Sequence, residues 1–139
     1  MTILLSQVKI ADTRSPFNGL VKDILIKDQQ IVSITDNYKG TADKTIDLKN
    51  SVVSPGFIDP FVHFCDPGME HRETLTTGAN AAIKGGFTTV FVVPNTTPVI
   101  DNKSQVTYVK QHTQELPIHI LPIGALSKKI EGKDLAEMI

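Results

Sequence analysis

Phe57-Ile58-Asp59-Pro60-Phe61-Val62-His63-Phe64 is a nearly continuous apolar run, and the fold of the chain turns on it. It is entered through Pro55-Gly56 and broken by Pro67-Gly68. Such a run is expected for a strand buried on both faces, as in a parallel sheet. C-terminal to it the pattern alternates. Leu75, Ala79, Ala82 and Ile83 recur at the spacing of one helix face, and Gly85-Gly86 supplies the glycine that closes a helix. Thr88 to Val93 reads as a second buried strand, halted by Pro94-Asn95. Asp101 is the expected N-cap of a helix reaching about Glu115, with Val106 and Val109 facing inward. Pro117 to Ile123 reads as a third strand, and Asp134 to Ile139 as the start of a further helix. Alternation of this kind demands right-handed crossovers and a parallel sheet. A small doubly wound sheet and part of a (β/α)8 barrel both satisfy it. In either, chemistry gathers at the C-terminal strand ends, here residues 61–68, 94–98 and 124–127.

N-terminal to the run the pattern is β throughout. Ile3-Leu4-Leu5 and Val8-Lys9-Ile10 precede a loop at residues 13–19. Val21 to Ile26 and Ile31 to Ile34 flank the polar turn Lys27-Asp28-Gln29-Gln30, a hairpin signature. Residues 37–45 carry no periodicity, and Ile46-Asp47-Leu48 and Val52-Val53 resume the alternation. Residues 1–54 are therefore expected to form a small β domain with an antiparallel sheet, and residues 55–139 the strand–helix domain.

The 139 residues are 40% hydrophobic and 21% charged, a globular composition. Fourteen Lys+Arg against fifteen Asp+Glu give a net charge of −1, with no basic excess to favour nucleic acid or anionic membrane. One cysteine, Cys65, excludes an internal disulfide framework and a zinc site built on a CxxC pair. The N-terminus lacks the basic and apolar regions of a secretory signal. No stretch reaches the ~18 apolar residues of a membrane span. A cytoplasmic protein is expected.

Residues 55–68, then Glu73-Thr74, Gly85-Gly86-Phe87-Thr88-Thr89 and Pro94-Asn95-Thr96-Thr97-Pro98, follow one another in an order that resembles the dihydroorotase family of amidohydrolase-type cyclic amidases. Gly124-Ala125-Leu126-Ser127 and residues 132–138 extend the resemblance over the whole chain. It implies an α/β protein: a small, sandwich-like β domain followed by the first three β/α units of a TIM-type barrel. The implied activity is reversible hydrolysis of the cyclic amide of dihydroorotate to carbamoyl-aspartate, in pyrimidine biosynthesis, by hydroxide activated on zinc. The resemblance places a metal ligand at His63 and a hydrogen bond to the substrate carboxylate at Asn95, with no catalytic residue in this segment. The family's remaining ligands and its catalytic aspartate lie on later strands. A complete barrel takes ~250 residues, so the chain is expected to be a fragment or to need a partner that completes it.

Two positions depart from the family pattern. A His-x-His pair on the first barrel strand sets two imidazoles on one side of it, but Phe61 stands at the first position and offers no donor atom. Cys65 stands where an arginine usually pairs with the substrate carboxylate through a bidentate fork. Phe61 is expected to fill the vacated metal cavity, and Cys65 to be a small buried apolar group. The sharper alternative makes His63 and Cys65 a substitute metal pair. By the resemblance Asp59 is read as structural or as a support behind the site, and His71, His112 and His119, without partners at metal spacing, as surface residues or supports of that kind. Three functions follow: a dihydroorotase; a catalytically inactive homologue that is a structural partner of aspartate transcarbamoylase; or a related cyclic amidase such as a hydantoinase. Homo-oligomerisation is compatible with each.

Overall fold

The structure, a computed structural model, describes residues 1–137. It divides into two compact units, Met1–Pro55 and the remainder from Gly56 onward.

In the first unit, β1 (Thr2–Ile10), β2 (Val21–Lys27), β3 (Gln30–Thr35), β4 (Lys44–Asp47) and β5 (Val52–Val53) form one sheet in the order β3-β2-β1-β4, with β5 also on β1. The hairpin closes more tightly than its four polar residues suggest. Lys27 pairs with Gln30, and Asp28 and Gln29 both take positive φ, as a two-residue turn of the primed type requires. The sheet is mixed rather than antiparallel, because β4 and β5 both pair with β1 in parallel. Alternation along each strand is the same for either pairing, so the direction was not readable. Val8, Ile10 and Ile24 are the buried centre, with Leu5, Phe17, Ile34 and Val53 packed around them. Gln7, at φ 57°, marks a bulge in β1 that turns its backbone N–H and its side chain onto the buried Asp23 carboxylate.

The second unit alternates: β6 (Phe57–Val62), α1 (Leu75–Lys84), β7 (Phe87–Val92), α2 (Lys103–Thr113) and β8 (His119–Pro122). The strands are parallel and lie in chain order, β6-β7-β8. Sequential winding of three strands satisfies both a barrel and the half of a doubly wound sheet on one side of its switch point. Central β7 buries Val90 and Val92. With Leu75 and Ala79 of α1, Val109 of α2, Ile100 and Ile120 they form the core.

Several elements differ from the sequence expectation. β6 is not buried on both faces: Phe57 is 56% exposed and Ile58 62%. It is a sheet edge, and only the helical side carries a packing layer among the described residues. Helix α1 begins at an N-cap, Thr74, through a capping box with Thr77. It ends with Gly86 in the left-handed region, while Ile83 lies toward solvent. Helix α2 is capped by Asn102, whose side chain accepts from Gln105 N. Asp101 instead accepts from Asn102 Nδ2 and Lys129 N. The helix expected from Asp134 is absent over residues 134–137, where Leu135 bridges Ser127 and Glu137 bridges Asn102. Met138 and Ile139, the rest of that expected helix, lie outside the described residues. No helix among the described residues is long and apolar enough to cross a membrane.

Candidate functional site at the strand ends

Pro60 shapes the end of β6. It has no N–H for the ladder, and the pairing with β7 slips between Asp59 and Val62. The freed Phe61 N–H donates instead to Asp59 Oδ1 at 3.0 Å, which is the structural use expected of Asp59. Phe61 is left 73% exposed.

His63 follows directly on β6 and is exposed. Its ring is held at both nitrogens. Asn95, just past the end of β7, places Nδ2 2.6 Å from Nε2, and Cys65 Sγ lies 3.6 Å from Nδ1. Nε2 therefore faces the amide and Nδ1 faces the sulfur. Cys65 is buried, as expected, at 4% exposure. Its φ of 61° lies in the left-handed region, uncommon for a residue with a Cβ. His63 also borders an open depression of about 280 Å³ with Asp59, Phe64 and Glu73.

The two loops that carry these side chains are tied together. Thr97 N donates to Pro67 O at 3.0 Å, and a Cβ on Gly68 would come 1.7 Å from Thr97 O. Only glycine permits that approach. Thr96, buried, donates to Pro98 O at 2.7 Å. Behind the loop, the buried Asp66 carboxylate accepts from Leu75 N at 3.1 Å and from the Tyr108 hydroxyl at 3.0 Å. Burial and the hydrogen bond to Asp66 hold the Tyr108 phenol above its ordinary range. Asp66 and Tyr108 position the site and were missed from sequence. Asp66 carries no periodic signal, and its partner lies 42 residues away. His71 and His119 are exposed, and His112 is engaged by Tyr108 O at 2.8 Å.

The arrangement does not match a two-histidine metal grip. Phe61 has no donor, Asn95 takes up Nε2 of the single imidazole, and Nδ1 faces the thiol. Among the described residues no three His, Cys, Asp or Glu side chains cluster to hold a metal ion. Within this segment His63 and Cys65 offer two donors, part of the three or four protein ligands that a zinc site takes. The constellation is a hydrogen-bonded chain of thiol, imidazole and amide that spans the two loops.

A family model described as dihydro-orotase-like matches residues 50–139. A dihydroorotase of Clostridioides difficile is 37% identical over 98% of this chain, and one of Caldicellulosiruptor saccharolyticus 40% identical over 84%. The chain spans about a third of the length of these curated relatives, 32% and 28%. Among solved structures, an L-hydantoinase (dihydropyrimidinase) from Arthrobacter aurescens superposes with a TM-score of 0.78 at 23% identity, over 90% of this chain and 28% of its own. A dihydroorotase superposes with a TM-score of 0.66 at 18% identity, over 92% of this chain and 32% of its own. At those identities the structures speak for the fold, an N-terminal β unit leading into consecutive β/α units of a barrel. Sequence and fold together establish that the chain belongs to the dihydroorotase-like family.

Proposed function

We propose that this chain is the N-terminal part of a dihydroorotase homologue that has lost metal-dependent ring opening while keeping the family fold. The observation that carries the proposal is Phe61, an exposed aromatic ring at the position of the first imidazole of the family's strand-one pair. Cys65 weakens the alternative further, since a thiol brings neither positive charge nor a fork of donors to a substrate carboxylate. Asn95, the residue matching the family's carboxylate-binding amide, is bonded to His63. A related cyclic amidase such as a hydantoinase would need the same metal, so the same objection applies to it. The family role left to such a homologue is a structural one, as a cytoplasmic partner of aspartate transcarbamoylase.

Dihydroorotate turnover tests this. We expect no hydrolysis above background in either direction, and co-elution with aspartate transcarbamoylase on size exclusion. Robust turnover by the protein as isolated would overturn the proposal and restore zinc-dependent hydrolysis of dihydroorotate, with His63 a ligand. The double variant Phe61→His with Cys65→Arg restores the family's residues at both positions and is expected to raise zinc affinity by about tenfold or more.

A further inference from the structure

We propose that Asn18 is a site of spontaneous covalent modification: its side-chain amide is lost to the backbone nitrogen of Gly19, and the isoaspartate that results unfastens the loop between β1 and β2. Three observations carry this. Asn18-Gly19 is the only Asn-Gly pair of the chain, and both residues are exposed. At every other asparagine the following residue carries a side chain, which crowds the approach to its backbone nitrogen. At Gly19, φ is 81° and even a Cβ built there would meet nothing within 4 Å. The Asn18 amide is also polarised: its Oδ1 accepts from Asp12 N at 3.0 Å, a donor that stabilises the negative charge which attack at Cγ places on that oxygen. The site lies in the first unit and shares no residue with the strand-end site.

In the reaction, Gly19 N gives its proton to solvent and bonds to Asn18 Cγ. The Cγ–Nδ2 bond then breaks, ammonia leaves with a proton taken from solvent, and a five-membered succinimide remains. Water opens that ring on either side. Hydrolysis at Cγ leaves aspartate. Hydrolysis at the backbone carbonyl carbon leaves isoaspartate, whose main chain runs through the former side chain and is one methylene longer. Water is the only co-reactant. The fold sets the rate, because Gly19 N donates to Ile10 O at 2.7 Å, next to the bond from Ile10 N to Leu20 O at 2.9 Å. Its proton is released only when the mouth of the loop opens locally. The two products differ in consequence. Aspartate keeps an oxygen for Asp12 N and leaves the backbone unchanged. The added methylene of isoaspartate falls between Phe17, which packs against the cluster of Val8, Ile10 and Ile24, and Gly19, so the two cannot both keep their places.

The test holds the purified protein at pH 8 and 37 °C, folded and in guanidinium chloride, beside the free peptide Pro-Phe-Asn-Gly-Leu. Intact mass follows the exchange of ammonia for water, peptide mapping places it, and labelling by an isoaspartate methyltransferase counts the isoaspartate. We expect conversion at Asn18 ahead of Asn50, which Ser51 follows. The folded rate should lie about tenfold below that of the peptide, since the bonds at Gly19 N and Asn18 Oδ1 must open first, and denaturant should restore the peptide rate. Asn18→Gln keeps an amide but lengthens its arm and should not convert; Asn18→Ser replaces it if that variant does not fold. The aged fraction that carries isoaspartate should melt about 4 °C below fresh protein by circular dichroism, whereas Asn18→Asp should melt with the fresh protein. A folded rate more than about a hundredfold below the peptide's, conversion mapped first to Asn50, or an isoaspartate fraction that melts unchanged would overturn the proposal.

Discussion

Asp23 shows how much a single carboxylate can fix. It is buried, with Oδ1 accepting from Gln7 N and Gln7 Nε2 and Oδ2 accepting from Tyr38 N. Burial pushes its acidity toward the neutral form, but the hydrogen bonds from Tyr38 and Gln7 outweigh it and hold the carboxyl below its ordinary range. A group depressed on folding stabilises the fold above its unfolded value, about pH 4, and that contribution is lost as the pH falls through the folded value. Asp23→Asn should destabilise by about 1–3 kcal/mol at pH 7, because an amide N–H then faces buried donors. Urea unfolding at pH 7 and at pH 3 should show the gap from the parent narrowing in acid; an equal gap at both would contradict this. Residues such as Asp23 and Asp66 were illegible beforehand, since their partners are backbone groups and hydroxyls brought near by folding. His63, Asn95 and Cys65 were legible as chemistry-bearing positions. Their bonding to one another was not, because it depends on the left-handed turn at Cys65.

At the scale of elements, the strand–helix order followed from apolar runs and glycine stops, and β6 to β8 appear where those runs stand. What the pattern could not show was context. An apolar run does not distinguish a doubly buried strand from an edge, so Phe57 and Ile58 were misjudged. Asp101 lost the cap to Asn102 because the loop at Lys129 competes for its carboxylate. Gly78 in α1 illustrates two opposed effects. Alanine is favoured over glycine in a helix by about 1 kcal/mol. A Cβ at 78, however, would lie 2.4 Å from the Phe64 ring, which is itself buried, and overpacking costs about 1–3 kcal/mol. Gly78→Ala should therefore lower stability by about 1 kcal/mol in denaturant titration. A gain in stability would show that the Phe64 ring moves freely.

Across the whole molecule, the family was legible because several short motifs kept their order along the chain, which composition alone could never provide. The same motifs show the damage: the strand-one pair reads Phe61, His63 where two imidazoles are needed for a grip on metal. Zinc per chain, by elemental mass spectrometry on purified and dialysed protein, addresses this most directly. We expect well below one zinc per chain, with the Phe61→His, Cys65→Arg variant binding more. One or more tightly held zinc ions in the unaltered protein would contradict the account.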